Sequence, residues 1–297
     1  MKPLIAIAGV VFGGFLVMRG RRGGGFPFVG SRSQGKLSKQ SVSADGAARE
    51  YALYVPPSAG PGSPLVVLLH GRGSGMNTPR KWGWEKVADA NGLVLAYGQA
   101  LRASDGRTTW NSNKGVGNPA YDRHQYSDVA YLDRVIDDVR QKLATRKTYV
   151  SGFSSGAKMT YRYAADRGDR IDGIAPMAST IGNTRGGDAT LFAPPANVTA
   201  SAILIHGGMD KWRGGANDDN TGELLPLADA VQLWKNALGA TTPASVRPIG
   251  VPVEWHERWN NGRGQAVEVL VDKGRGHWIP TRWPMAEHVW RFWASNS

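Results

Sequence analysis

Two hydrophobic patterns alternate along most of the chain. Short apolar runs that end in Gly, Ser or Pro suit strands buried on both faces of a parallel sheet. Segments with apolar residues three and four positions apart predict amphipathic helices. The runs are 64–70, 93–97, 148–151, 171–177 and 202–206, and the periodic segments are 129–143, 157–165, 227–238 and 285–294. This alternation predicts an α/β fold with a mostly parallel central sheet and helices on both faces.

The N-terminal part of the chain has a different pattern. Residues 4–18 are uncharged and mostly apolar, and as a helix they would be about 22 Å long, short of a bilayer core of about 30 Å. This length favours the apolar part of an export signal. The heavier positive flank at residues 19–22 instead favours a retained anchor with the body in the cytoplasm. A loose tail that does not insert is the third alternative, so we expect export or membrane anchoring, with secretion favoured, and possible association with a membrane through this segment.

The domain boundary is predicted near residue 45. Residues 19–44 are rich in Gly, Ser and basic residues, which indicates a flexible tether. Residues 48–55 alternate apolar and polar positions and end at two prolines, which predicts an edge strand. We therefore expect a signal or anchor segment with its tether at 1–44, and one catalytic domain at 45–297.

The formal net charge of +12 does not predict a nucleic-acid partner. Residues 1–44 hold seven Lys or Arg and no acid, so the folded body is only mildly basic, and it has no basic stripe with interleaved aromatic residues. The chain has no Cys, and its six His are scattered without an HExxH pattern. No metal or other cofactor is therefore expected.

The pentapeptide at residues 152–156, Gly-Phe-Ser-Ser-Gly, carries the first indication of chemistry. It follows an apolar run and precedes a helical pattern, which is the context of a nucleophile elbow with Ser154 exposed at a tight turn. The alternative is a serine that only caps the following helix. The two flanking glycines favour the nucleophile, because the turn leaves no room for side chains there.

A serine nucleophile requires an imidazole base and a carboxylate, which in this fold follow in the order Ser, acid, His. Asp210 follows the apolar run 202–206, and His277 follows a strand-like segment in a glycine-rich loop. Asp218 and Asp219 compete with Asp210 for the role of the acid. The competitors of His277 are His256, inside an alternating strand, and His288, inside a helix.

An oxyanion hole needs two backbone N–H groups directed at the developing negative charge. One is expected from Ser155, directly after the nucleophile. The other is expected from Arg72, in the glycine-rich loop after the apolar run 64–70. His70 is expected to brace this loop rather than to act as a base.

Several spaced segments resemble the α/β-hydrolases of the polyhydroxybutyrate-depolymerase-like esterase family, which includes feruloyl and acetylxylan esterases. The resemblance covers residues 49–293 and is carried by REYALYVPP, PLVVLLHGRGSG, SDVAYLDRVIDDV, YVSGFSSGAKMTYRYAADRGDRIDGIAPMAS, ILIHGGMD, GRGHWIP and HVWRFW. It implies Ser154 as nucleophile, Asp210 as acid and His277 as base. It also places an aromatic residue near the cleft at Trp110. The chain departs from the family in having Arg72 where many members have Cys, and Lys-Trp-Arg-Gly-Gly after the acid, so the natural substrate is not carried over.

The expected function is that of a serine carboxylic-ester hydrolase acting on a short-chain, aromatic or polymeric ester. Trp110, Trp212 and Trp278 flank the proposed catalytic loops and are expected to bind substrate, the alternative being packing in the core or at the rim. An acyltransferase or a peptidase could use the same triad. A membrane-tethered binding protein on an inactive hydrolase fold is a further alternative.

Overall fold

A mostly parallel sheet forms the centre of the computed structural model, which describes residues 34–112, 126–183, 192–218, 222–279, 281 and 283–296. These residues belong to one compact unit. The predicted signal or anchor at residues 4–18 lies outside them. Among the helices that are described, none has the length and apolar character needed to cross a bilayer.

Strands and helices alternate along the central part of the chain. The strands are β1 (Lys36–Ala44), β2 (Ala47–Val55), β3 (Leu65–Leu69), β4 (Val94–Gly98), β5 (Thr148–Phe153), β6 (Gly173–Met177), β7 (Gly182–Asn183), β8 (Ser201–Gly207), β9 (Ala216–Asp218), β10 (Gly222–Leu224), β11 (Thr242–Ala244), β12 (Val253–Asn260) and β13 (Ala266–Asp272). The helices are α1 (Trp84–Asn91), α2 (Asp128–Leu143), α3 (Ser155–Arg167), α4 (Leu227–Leu238) and α5 (Met285–Ala294). The predicted apolar runs and periodic segments coincide with β3, β4, β5, β6, β8, α2, α3, α4 and α5.

In the described part of the chain, ten strands form the main sheet in the order β1-β2-β4-β3-β5-β6-β8-β13-β12-β11. The six from β4 to β13 in this order pair in parallel, and antiparallel strands complete both edges. A small second sheet has the order β7-β10-β9. The predicted α/β fold with a mostly parallel sheet is therefore confirmed.

Side chains of the central strands are buried on both faces. In β3, Val67 and Leu69 belong to one core cluster and Val66 and Leu68 to the other, and all four are fully buried. The first cluster includes residues of α2, α3 and α4, and the second includes residues of α1 and α5. Full burial of one such side chain stabilises the fold by roughly 1.5–3 kcal/mol. Because successive side chains of these strands point to opposite faces and both faces are buried, the strands are apolar at every position.

The predicted tether is wrong for residues 36–44, which form β1. This strand pairs antiparallel with β2 over its whole length and turns into it at Asp45 and Gly46, both of which have positive φ. Its polar side chains give no hydrophobic signal, because one edge of the sheet can remain in water. As a consequence β2 is not the edge strand that its alternation and the following prolines predict.

The carboxyl ends of four parallel strands position the candidate site. Gly71 and Arg72 follow β3 by two and three residues, and Ser154 directly follows β5. Asp210 and His277 follow β8 and β13 by three and five residues. Side chains at this edge of an open α/β sheet converge on one crevice, as expected for such folds.

Candidate active site

Ser154 lies at a strained turn between β5 and α3. Its backbone has φ +56° and ψ −115°, a conformation that residues with a side chain seldom adopt. The Ser154 N–H donates to the carbonyl of Met177 in β6 at 2.9 Å, and the Ser154 carbonyl accepts from Lys158 at 3.1 Å. These bonds fix the turn from both sides, so the hydroxyl leaves the sheet edge in a defined direction.

Steric contacts explain both glycines of the turn. A Cβ added to Gly152 would lie 2.2 Å from the carbonyl oxygen of Gly156. A Cβ added to Gly156 would lie 2.3 Å from the carbonyl oxygen of Leu69, at the end of β3. Since these atoms belong to backbone, neither clash can be relieved by a side-chain rotation. The two glycines therefore allow the strand, the turn and the oxyanion loop to approach one another.

The structure brings Ser154, His277 and Asp210 together in one hydrogen-bonded row. The Nε2 atom of His277 lies 2.9 Å from Ser154 Oγ, and its Nδ1 atom lies 2.9 Å from Asp210 Oδ2. Such a row can transfer the serine proton to the imidazole while the carboxylate holds the ring. Of the competing residues, His256 and His288 contact Glu268 instead, and the side chains of Asp218 and Asp219 lie outside the described part of the structure.

Close packing of two loops places the acid beside the base. A Cβ added to Gly207 would lie 2.3 Å from the carbonyl oxygen of Gly276, next to His277. The Met209 N–H also donates to the carbonyl of Arg275 at 2.7 Å. The glycines at these positions therefore bring the ends of β8 and β13 close enough for the side chains to meet.

Asp210 is buried yet is held as a carboxylate. Burial alone would raise its pKa, but hydrogen bonds from His277 and from the Trp212 N–H to its carboxyl oxygens outweigh burial, so the pKa lies below its ordinary value. The ionised acid can therefore stabilise a positive charge on His277.

The two segments that carry the expected oxyanion donors adjoin the serine turn. Ser155 is the first residue of α3, where a backbone N–H has no acceptor within its own helix. The loop with Arg72 approaches from β3, and a Cβ added to Gly71 would lie 3.0 Å from the ring of Phe153. The Arg72 side chain forms an ion pair with Asp105, so this side chain is tied to the 99–111 loop.

His70 braces the oxyanion loop, as expected from its position. Its Nε2 accepts the Ala100 N–H at 3.1 Å, so its Nδ1 carries the proton that it donates to the Gly71 carbonyl at 2.7 Å. Burial lowers the pKa of this imidazole. A neutral His70 therefore links the loop after β3 to the loop after β4.

The structure corrects the expectation that Trp110 binds substrate. Trp110 is only 2% exposed, donates its indole N–H to the His70 carbonyl and stacks on Tyr131 at 6.3 Å between ring centroids. It fills the space above Gly98, where an added Cβ would lie 2.9 Å from the indole. Its packing holds the ring inside the core beneath the oxyanion loop.

The other two tryptophans are less buried than Trp110: Trp212 is half-buried beside the base, and Trp278 is exposed. Trp212 packs edge-on against the His277 ring with 4.2 Å between centroids. Trp278 is 70% exposed and Met209 is 69% exposed, and they adjoin the base and the acid in sequence. The side chains of Trp278 and Met209 are therefore exposed enough to contact a bound molecule.

Two buried polar groups near the site have no motif that identifies them in the sequence. His206 donates from Nε2 to the Ser179 carbonyl at 2.9 Å, and its Nδ1 lies 3.8 Å from Asp210 Oδ2. Arg49 and Asp128 form a buried ion pair at 2.6 Å, and the Asp128 carboxylate also accepts the Asn111 N–H. The only sequence signal for His206 is its place at the end of β8, four residues before the acid.

The fold and the site define the class of molecule: the chain has the α/β-hydrolase fold with a serine elbow. Solved structures show this fold independently. The acetyl xylan esterase from Aspergillus awamori superposes with a TM-score of 0.55 at 15% identity, over 86% of this chain and 99% of that one. An S-formylglutathione hydrolase from Agrobacterium tumefaciens superposes with a TM-score of 0.57 at 14% identity, over 90% and 98%.

Sequence relatives confirm the resemblance to esterases. The bifunctional acetylxylan esterase/xylanase XynS20E of Neocallimastix patriciarum is 29% identical over 136 residues, 45% of this chain and 18% of that protein. The putative esterase NocK of Nocardia uniformis subsp. tsuyamanensis is 28% identical over 184 residues, 59% of this chain and 48% of that protein. The chain therefore spans less than half of the length of either curated relative. No family model matches the chain.

Proposed function

We propose that this protein is a serine carboxylic-ester hydrolase that acts through a covalent acyl-enzyme. One observation carries the proposal: His277 lies 2.9 Å from both Ser154 Oγ and Asp210 Oδ2, at an elbow whose backbone is strained. The esterase names of the sequence relatives support the same chemistry.

Acylation begins with attack of Ser154 Oγ on the ester carbonyl carbon, while His277 Nε2 takes the serine proton. The carboxylate of Asp210 stabilises the resulting imidazolium. The backbone N–H groups of Arg72 and Ser155 stabilise the negative charge on the carbonyl oxygen. When the C–O bond of the ester breaks, His277 donates its proton to the leaving alcohol.

Deacylation repeats these steps with water as the nucleophile. His277 takes a proton from water, the hydroxide attacks the acyl carbon, and the proton returns to Ser154 as the acid leaves. The same acyl-enzyme could react with an alcohol or an amine. Product analysis with an added alcohol measures how much acyl group is diverted from water and so distinguishes hydrolase from transferase.

For the substrate, we propose an ester with a short acyl group on a bulky alcohol. Acetylxylan esterase names among the relatives support a small acyl group. The exposed side chains of Trp278 and Met209 beside the triad support an extended, partly apolar leaving group such as an aromatic or polymeric alcohol. Comparison of acetate, butyrate, feruloyl and polyester substrates tests this proposal.

Covalent labelling tests the chemistry directly. A fluorophosphonate probe should attach to the peptide that contains Ser154, and labelling should be slowed by His277→Ala. Ser155→Ala is the matched control, because its hydroxyl is buried without a hydrogen-bond partner and the proposed oxyanion donor is the backbone. Failure of the wild-type protein to label at Ser154 would refute the proposal.

A further inference from the structure

A second cluster of ionisable side chains lies away from the proposed triad, between the sheet and α5. It consists of His256 in β12, Glu268 in β13 and His288 in α5. Their side chains are 6%, 3% and 12% exposed, respectively. Glu268 lies four residues before the carboxyl end of β13, whereas the triad residues lie beyond the ends of their strands. The cluster has no part in the proposed mechanism.

Both imidazoles of the cluster meet the same carboxylate oxygen. His256 Nε2 lies 3.0 Å and His288 Nε2 lies 2.6 Å from Glu268 Oε1. One ligand atom from each of the three side chains lies within 4.8 Å of the others. In a tetrahedral zinc site, with bonds of about 2.0–2.2 Å, ligand atoms are about 3.3 Å apart. Small side-chain rotations would thus bring all three atoms to the distances that a metal ion requires.

The charge of the cluster also favours a cation. Glu268 contributes a carboxylate whose side chain is only 3% exposed. Within the described ranges, these two His are the only ion-pair partners of Glu268. If both imidazoles are neutral, a negative charge is left buried, which is costly without a positive partner. A divalent ion would supply that positive charge.

A neighbouring aromatic residue holds one ligand in place. Trp283 packs edge-on against His288 at 90° with 5.7 Å between ring centroids, and Trp283 itself is buried. A fixed ring orientation lowers the entropy lost when a ligand binds a metal. The position of His288 is therefore set by α5 and by this contact.

We propose that His256, Glu268 and His288 bind one divalent transition-metal ion of the zinc type, with water completing its coordination. Imidazole nitrogen and carboxylate oxygen are ordinary zinc ligands. The ion would join β12, β13 and α5, and the last two of these lie on either side of the loop that carries His277. Its role is structural, because the cluster lies within the fold rather than at the end of the strands. A hydrogen-bonded network that binds no metal is the competing explanation.

Zinc titration of the full chain tests this proposal. Protein stripped with a chelator and then freed of it should bind one zinc ion per chain in isothermal titration calorimetry at neutral pH. Glu268→Gln should weaken binding at least tenfold. Glu257→Gln is the matched control, because Glu257 is exposed on β12 and should bind zinc as the wild type does. Zinc should raise the Tm of the wild type and of Glu257→Gln, but not that of Glu268→Gln.

Two further variants separate this site from the triad and from misfolding. His277→Ala removes an imidazole that contacts a different carboxylate, that of Asp210, and should leave zinc binding intact. His288→Gln replaces Glu268→Gln if that variant does not fold, and it should lose binding in the same way. Absence of saturable zinc binding by the wild type would overturn the proposal. Binding that is lost in His277→Ala but kept in Glu268→Gln would overturn it as well.

Discussion

Trp110 donates its indole N–H to the backbone carbonyl of His70 at 2.8 Å, so a core side chain supports the loop that carries the expected oxyanion donor. Because Trp110 is buried, we expect Trp110→Ala to lower the free energy of unfolding by about 3–5 kcal/mol. Trp110→Phe keeps most of the packing and should cost less. Urea denaturation of both variants checks this. Unchanged stability together with altered ester selectivity would instead favour a pocket role.

Replacing the members of the hydrogen-bonded row should abolish most ester hydrolysis while the fold remains. We expect Ser154→Ala to lower kcat/KM by at least about three orders of magnitude, and Asp210→Asn by about four, because the imidazole then loses its fixed tautomer. The measurement is turnover of a short-chain p-nitrophenyl ester, with circular dichroism as the check on folding. Asp218→Asn is the control, and a comparable loss in that variant would shift the acid away from Asp210.

Gly156→Ala should destabilise the protein, because the new methyl group would lie 2.3 Å from the Leu69 carbonyl oxygen. We expect a loss of about 3 kcal/mol in the free energy of unfolding, the upper end for overpacking of a core. Gly60→Ala is matched in chemistry and has nothing within 4 Å of the added Cβ. Its effect should stay within about 0.5 kcal/mol. Equal stability of the two variants in chemical denaturation would contradict the steric explanation of the elbow.

Alkaline pH should weaken the attachment of the first strand through Tyr54. Burial and a hydrogen bond to Asp89 raise the pKa of this phenol to about 12, and its oxygen also accepts the Gly35 N–H at 2.7 Å. The folded state therefore favours the neutral phenol, and this stabilisation is complete below the ordinary tyrosine pKa of about 10. It is lost as the pH rises from about 10 to 12. The difference in unfolding free energy between wild type and Tyr54→Phe should shrink over that range, and a constant difference would contradict the prediction.

Trp278→Ala should alter selectivity with little effect on stability. The side chain is 70% exposed, so its removal should change the unfolding free energy by no more than about 0.5 kcal/mol. If Trp278 contacts the alcohol part of the ester, KM should rise for aromatic esters and stay the same for methyl acetate. Steady-state kinetics on both substrates measures the ratio. The same kcat and KM for every ester would exclude a binding role.

The central strands and the order of the candidate residues could be predicted because both have local signals. Residues 64–69 are apolar without interruption, and their shortness together with the glycines that follow favours a strand with two buried faces. Ser154, Asp210 and His277 each follow a predicted strand, and parallel strands end at one edge. That topology is sufficient to predict that the three residues are close in space.

What could not be predicted depends on contacts between distant segments. The strand at residues 36–44 is polar, so no hydrophobic pattern reveals it. Its antiparallel pairing with β2 across the turn stabilises it. Trp110 lies in a loop, and no local sequence pattern shows that its ring points into the core. His256, Glu268 and His288 come from three elements separated by 12 and 20 residues, so no short ligand motif reveals that they meet.

The backbone conformation of Ser154 sets the stability of the folded protein against its proposed catalytic activity. A non-glycine residue with φ +56° and ψ −115° costs about 1–3 kcal/mol, and the surrounding hydrogen bonds must hold it there. Glycine at this position would relieve the strain and remove the hydroxyl in one step. Without selection for activity, a change of Ser154 to glycine would therefore give a more stable but inactive protein. Persistence of the serine requires that selection for the reaction outweigh that gain.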